Sequence, residues 1–138
     1  MSYEEHQLQA ACVRWFRFAH RALEPLLFAI PNGGKRSRWE AAQVKAEGLV
    51  AGVADLALMV PASGKHGAFI EMKKETTVWK GGKPTTVRTY QRDSQREWQK
   101  AVEAQGYAYM VCRSFDDFHG FVEDYLADRY GVQNISQQ

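Results

Sequence analysis

Asp55, Glu71 and Lys73 carry the charges that two short apolar runs cannot explain by stability. Residues 52–60 and 68–73 flank the stretch Pro61-Ala62-Ser63-Gly64-Lys65-His66-Gly67. Apolar runs bounded by Pro and Gly read as paired strands of a hairpin. Side chains alternate faces along a strand, so Glu71 and Lys73 point the same way. A hairpin centred at Ser63 sets Asp55 opposite Glu71, and one centred at Gly64 sets it opposite Lys73. Either register gathers two carboxylates and an amine on one patch, with Leu56, Leu58, Val60, Ile70 and Met72 on the other face.

Aspartate is depleted in strands, and burying an unpaired charge is costly. Two explanations fit the cluster. One is a structural ion pair at a sheet edge, Lys73 with Glu71 or Asp55. The other is a divalent-cation site: carboxylate oxygens suit Mg2+, which keeps several waters and takes one or two carboxylates plus a substrate phosphate. Mn2+ is expected to substitute for it.

An ordered set of blocks carries a resemblance. Pro31-Asn32-Gly33-Gly34-Lys35-Arg36, Lys45-Ala46-Glu47-Gly48, Gly52-Val53-Ala54-Asp55 and Glu71-Met72-Lys73 occur in the order of the VRR-NUC family of the PD-(D/E)xK nuclease superfamily, and Ser94-Gln95 with Trp98 continues it. The chain resembles a stand-alone, virus- or phage-type member over residues 5–111. Asp with Glu-x-Lys alone is weak evidence; the ordered blocks are strong. Ala54 stands where the family usually has proline, a backbone restraint whose loss should leave the chemistry intact.

The resemblance implies a restriction-endonuclease-like mixed sheet and hydrolysis of DNA. It implies that Asp55, Glu71 and the Met72 backbone carbonyl hold the cation. A first-helix glutamate, here Glu5, supports that ion. Lys73 positions the attacking water or steadies charge in the transition state, and Gln95 aligns the water. Stand-alone members resemble resolvases of four-way (Holliday) junctions, whereas fused members act on flaps. A junction is two-fold symmetric and needs two paired cuts, so a homodimer is expected. Flap or nicking activity, or a catalytically silent DNA-binding module, are the alternatives.

The elements that must position these groups follow from capping and periodicity. Ser2-x-x-Glu5, Ser37-x-x-Glu40 and Ser94-x-x-Glu97 each have the form of a capping box. Leu8, Ala11, Cys12, Trp15, Phe16 and Ala19 give the first helix one apolar face. Glu5 lies one turn before Leu8, where it can close its own capping box or aim into the site. Residues 26–30 read as a strand, 37–47 as a helix ended by Gly48, 107–112 as a strand, and the segment after Ser114 as the last helix. Gly52 is expected to permit a bend or a close backbone approach just before Asp55. The order is α-β-α-β-β-α-β-α, an α/β fold with helices on both sides of a mixed sheet.

Two basic segments are candidates for nucleic acid. Asn32, Gly33, Gly34, Lys35, Arg36 and Arg38 join exposed amides to three cations, a plausible phosphate contact. Lys74, Lys80, Lys83 and Arg88 are interleaved with Trp79 and Tyr90, and Gly81-Gly82 could close a small hairpin, 77–80 against 83–87, with Pro84 keeping it at an edge. Such an arm suits a backbone or an exposed base, or exchange between subunits.

Composition sets the outer bounds. The 138 residues carry a net charge of only +2, so contact with DNA must come from local clustering. One nuclease domain over 1–130 and a flexible tail over 131–138 are expected. Cys12 and Cys112 are the two cysteines, with no C-x-x-C, and read as reduced core residues of an intracellular protein that is not secreted. No apolar run approaches membrane-spanning length, the four histidines form no metal-ligand spacing, and no organic cofactor is expected.

Overall fold

The computed structural model describes residues 1–31 and 37–132. Asn32, Gly33, Gly34, Lys35 and Arg36, and most of the expected tail, lie outside the described residues.

Helix α1, Tyr3–Ala19, opens on Ser2: its hydroxyl accepts the Glu5 amide, and the Glu5 side chain reaches back to the Ser2 amide. A 3-10 helix, Arg21–Leu26, follows. The sequence reading missed it because Pro25 looked like the break before a strand. Strand β1, Leu27–Ala29, is correspondingly short. Helix α2, Arg38–Ala46, is capped by the Ser37 hydroxyl, which accepts the Glu40 amide at 3.2 Å.

Strands β2, Leu56–Leu58, and β3, Ala68–Met72, form the expected hairpin. Strands β4, Glu75–Lys80, and β5, Lys83–Arg88, make a second hairpin, longer at its base than the sequence suggested. Helix α3, Asp93–Ala104, strand β6, Ala108–Cys112, and helix α4, Phe115–Leu126, complete the chain.

The main sheet is mixed, in the order β1-β2-β3-β6, while β4 and β5 pair only with each other. Three strands run antiparallel in turn, and β6 joins β3 in parallel. The β2–β3 register pairs Leu56 with Ile70 and Leu58 with Ala68, which centres the hairpin on Ser63. Leu56, Leu58, Ile70 and Met72 are buried with Cys12 and Phe16 of α1 and with Phe118, Val122 and Tyr125 of α4. The opposite face meets α3, where the Phe69 and Trp98 rings lie edge to face at 4.8 Å. Cys12 and Cys112 are free thiols that meet in the core; the Cys112 thiol and burial together push the Cys12 thiol well up.

The start of α3 corrects the sequence reading. Ser94 and Glu97 do not cap it. The helix begins at Asp93, and the Gln95 side chain accepts the Arg92 amide at 2.8 Å. A glutamine three residues past the cap position takes the reciprocal half of a capping box, and that bond draws Gln95 inward, where it is buried rather than solvated.

Candidate active site

The hairpin departs from a regular ladder at Asp55. Extending the register would set Asp55 opposite Glu71, but its amide donates instead to the Ile70 carbonyl at 3.1 Å. Its side chain fills the gap, with Oδ2 accepting the Met72 amide at 2.7 Å. A carboxylate therefore replaces a backbone carbonyl at the end of the strand. On the other side the Asp55 carbonyl accepts the Ile30 amide at 2.8 Å, so both neighbouring strands fix this residue.

Gly52 makes the approach to Asp55 possible. It has φ of +85°, and a Cβ there would lie 2.2 Å from the Ser94 carbonyl oxygen. Only glycine fits so close a contact. The loop before Asp55 is thereby pressed onto the first turn of α3, which brings Gln95 to the same cavity as Asp55.

Glu71 is almost fully buried. Its Oε1 accepts the Tyr109 hydroxyl at 3.0 Å, whereas its Oε2 is buried with no partner. Gln91 backs the tyrosine, its amide nitrogen lying 3.4 Å from the Tyr109 oxygen and 3.0 Å from Gln99 Oε1. Burial pushes the Glu71 carboxyl above its ordinary range, against the lowering effects of Tyr109 and Lys73, and Asp55 adds to the rise. Burial likewise raises Asp55, opposed by the Met72 amide and Lys73 and assisted by Glu5. Burial and the Glu71 charge push the Tyr109 hydroxyl well up, so it stays a donor.

Lys73 is buried too, and its amide donates to the Cys112 carbonyl at 2.8 Å. Among the described residues no ion pair involves Asp55, Glu71 or Lys73; the pairs are peripheral. A structural salt bridge therefore does not account for this cluster. Two acids and an amine share one desolvated patch without neutralising each other by contact.

Above the patch opens a cavity of about 1090 Å3 lined by Glu5, Gln9, Asp55, Met72, Lys73 and Gln95, among others. Glu71 is not among the residues that line it. Glu5 closes the cap of α1 and also lines the cavity, near enough to Asp55 for its charge to raise the Asp55 carboxyl. Among the described residues no three His, Cys, Asp or Glu side chains converge as a ready-made metal cluster. Two carboxylates, one with an orphaned buried oxygen, still fit a hard cation that completes its shell with water.

The basic residues sort less neatly. Arg38, Lys80 and Lys83 are exposed, Lys74 is half-buried, and Arg88 is engaged by Glu75 at 2.8 Å. None of them lines the cavity; Lys45, Arg92 and Tyr90 do. The sequence reading also missed Tyr109, Gln91 and Gln9. The Gln9 Oε1 is buried without a partner. Alternation along 107–112 sets Tyr109 and Val111 on one face, but only the parallel pairing, Phe69 with Tyr109 and Glu71 with Val111, places that face beside Glu71.

Against known proteins, the family model of the VRR-NUC domain matches residues 1–116. A solved structure titled VRR_NUC domain protein superposes with a TM-score of 0.70 at 24% identity, covering 92% of this chain and 91% of that one. No curated protein sequence matches significantly.

Proposed function

Since this chain belongs to the VRR-NUC domain family, which implies a nuclease of the PD-(D/E)xK type, we propose that it is a Mg2+-dependent endonuclease that cuts branched DNA as a homodimer, with four-way junctions its preferred substrate. The observation that carries the cation dependence is the partnerless Oε2 of buried Glu71 beside Asp55. A buried carboxylate oxygen without a donor is costly, and a divalent cation is the partner that two acids and no adjacent ion pair call for. Asp55, Glu71 and the Met72 carbonyl would hold it, with Glu5 supporting. When bound, such an ion acidifies water and neutralises charge growing on a phosphate.

The chain's own groups do the rest. Tyr109 fixes one oxygen of Glu71 and leaves the other free. The Met72 amide fixes one oxygen of Asp55 in the same way. Lys73 lines the cavity, where its amine would act on an anionic phosphate. Gln95 is held by the Arg92 amide through its oxygen, which leaves its NH2 group to orient a water. Arg92 and Lys45 on the cavity wall supply phosphate contacts.

Two-fold symmetry of a four-way junction favours a dimer with one site per subunit. The test is incubation with synthetic four-way junction, flap and linear duplex, each with Mg2+ or chelator. Paired cuts in the junction, abolished by chelator, are expected. Cleavage that persists in chelator would remove the cation from the account, and preference for linear duplex would remove the junction.

A further inference from the structure

Beyond Glu5, helix α1 and the turn after it are basic without relief. Residues 6–23 hold three arginines and no aspartate or glutamate. Arg14 and Arg17 are exposed. Among the described residues no acid pairs with Arg14, and Arg17 meets only Glu24, at 3.9 Å with both side chains more than half exposed. A pair of that kind holds little, so both guanidinium groups can turn to another anion.

They do not stand on open surface. A second hollow, of about 410 Å3, lies between α1 and the free edge of β1, lined by Gln9, Val13, Arg14, Arg17, Phe28 and Ala29 among others. Gln9 and Ala29 also line the candidate active site, so the two hollows adjoin. Residues four apart on a helix lie along one row. Glu5, Gln9, Val13 and Arg17 form such a row, which runs from the first cavity into the second. On the opposite wall, the Ile30 amide donates to Asp55 and the Leu26 carbonyl accepts from Met59, both toward β2. Alternation then turns the amide of exposed Ala29 away from β2, to the open edge.

Two arginines and a backbone amide beside the apolar surfaces of Val13 and Phe28 match a sugar–phosphate backbone. Guanidinium and amide groups bind phosphate oxygens, and the apolar surface meets deoxyribose. An acidic peptide would pair with the arginines too, but a strand whose phosphodiester sits over Asp55 meets this row as its continuation. We propose that Arg14 and Arg17, with the Ala29 amide, bind phosphates of the duplex arm that leaves the active site along α1. The proposal rests on the nuclease reading above. At about 1.5 Å of rise per residue, Arg14 and Arg17 lie about 14 and 18 Å along the helix from Glu5. Taking roughly 3.4 Å per nucleotide of duplex, they reach about the fourth and fifth phosphates from the cut.

Binding is measured in chelator, so that no cleavage is needed, on a four-way junction with long arms. Arg14→Ala with Arg17→Ala should lower the slope of affinity against salt by about two. Arg14→Lys with Arg17→Lys keeps the charges and should recover most of that slope. Neutral methylphosphonates at the fourth and fifth phosphates from the wild-type cut should lower the slope of the native chain and leave the alanine protein unchanged. An unchanged slope in the alanine protein, as a groove for an acidic protein would give, overturns the proposal. So do methylphosphonates that weaken both proteins alike. Wild-type cleavage of the same junction in Mg2+ separates the two readings. Cutting without any dependence of binding on Arg14 and Arg17 removes only the phosphate track. Arginine-dependent binding without cutting removes only the nuclease.

Discussion

Strands β3 and β4 are separated by only Lys73 and Lys74, yet they belong to opposite physical regimes. Strand β3 is buried along nearly its whole length and carries Glu71 into a desolvated floor. Strand β4 pairs with one neighbour, has no continuous buried face, and holds its charges in water. Carboxylates that must grip a cation gain from exclusion of water, because both the strain of their charges and the grip of a counterion grow as the dielectric falls. Groups proposed to contact nucleic acid gain instead from reach and solvation. A two-stranded ribbon is marginally stable by itself, and here it is tethered at one end by an ion pair and free at the other.

The largest expected effect lies in the floor. Asp55→Asn keeps an oxygen to accept the Met72 amide but removes the charge, so cleavage should fall to background while the fold survives; a cleavage assay beside a melting curve checks both halves. Asp55→Ala is the less informative variant, since it also leaves the Met72 amide unpaired, which costs about 1–3 kcal/mol.

Tyr109→Phe comes next. It removes the donor that orients Glu71 without touching a proposed ligand. Loss of such supporting bonds typically lowers metal affinity or activity about 10–100-fold, and a Mn2+ titration reads it directly. Unchanged affinity would mean that Glu71 needs no orienting partner.

A smaller effect concerns pH. Both acids have native carboxyls raised above the ordinary 3.8 and 4.5 by burial. The native state therefore binds more protons than the unfolded one in this window, and stability falls as pH rises through it. In chelator, melting should drop from acidic to neutral pH. Glu71→Gln should flatten that drop and gain on the order of 1 kcal/mol at neutrality, while abolishing activity. A melting temperature that rises with pH in chelator would reverse the sign and show that the acids are already neutralised by the chain.

The ribbon should be nearly silent in the same assay. The Glu75–Arg88 pair is partly exposed, and pairs of that kind are worth about 1 kcal/mol or less. Glu75→Ala should leave the melting curve of the main sheet in place. If it unfolded the whole chain, the two regions would not be independent, and the contrast drawn between them would fail.

Much of this arrangement was legible in the residues themselves. The alternation in 68–73 and the turn chemistry after Pro61 are local signals, and they need no tertiary contact to set Asp55, Glu71 and Lys73 on one patch. Gly52 was readable for the same reason, since a glycine shortly before a strand marks a bend or a close backbone approach. What stayed hidden depends on contacts between distant segments. Tyr109 supports Glu71 only because β6 joins β3 in parallel, a pairing across 38 residues that no local pattern encodes. The α3 cap was misread because Ser94-x-x-Glu97 has the form of a capping box, whereas the helix takes Arg92 at its cap position and Gln95 as the reciprocal partner. Lys45 lines the cavity although it belongs to no basic cluster in sequence.

Titration calorimetry with Mn2+ in the absence of DNA tests the floor most directly, comparing the native chain with Asp55→Asn and Glu71→Gln. A saturable heat in the native chain that both substitutions abolish is the predicted result. No heat in the native chain, or the same heat in all three proteins, would contradict a cation held between Asp55 and Glu71.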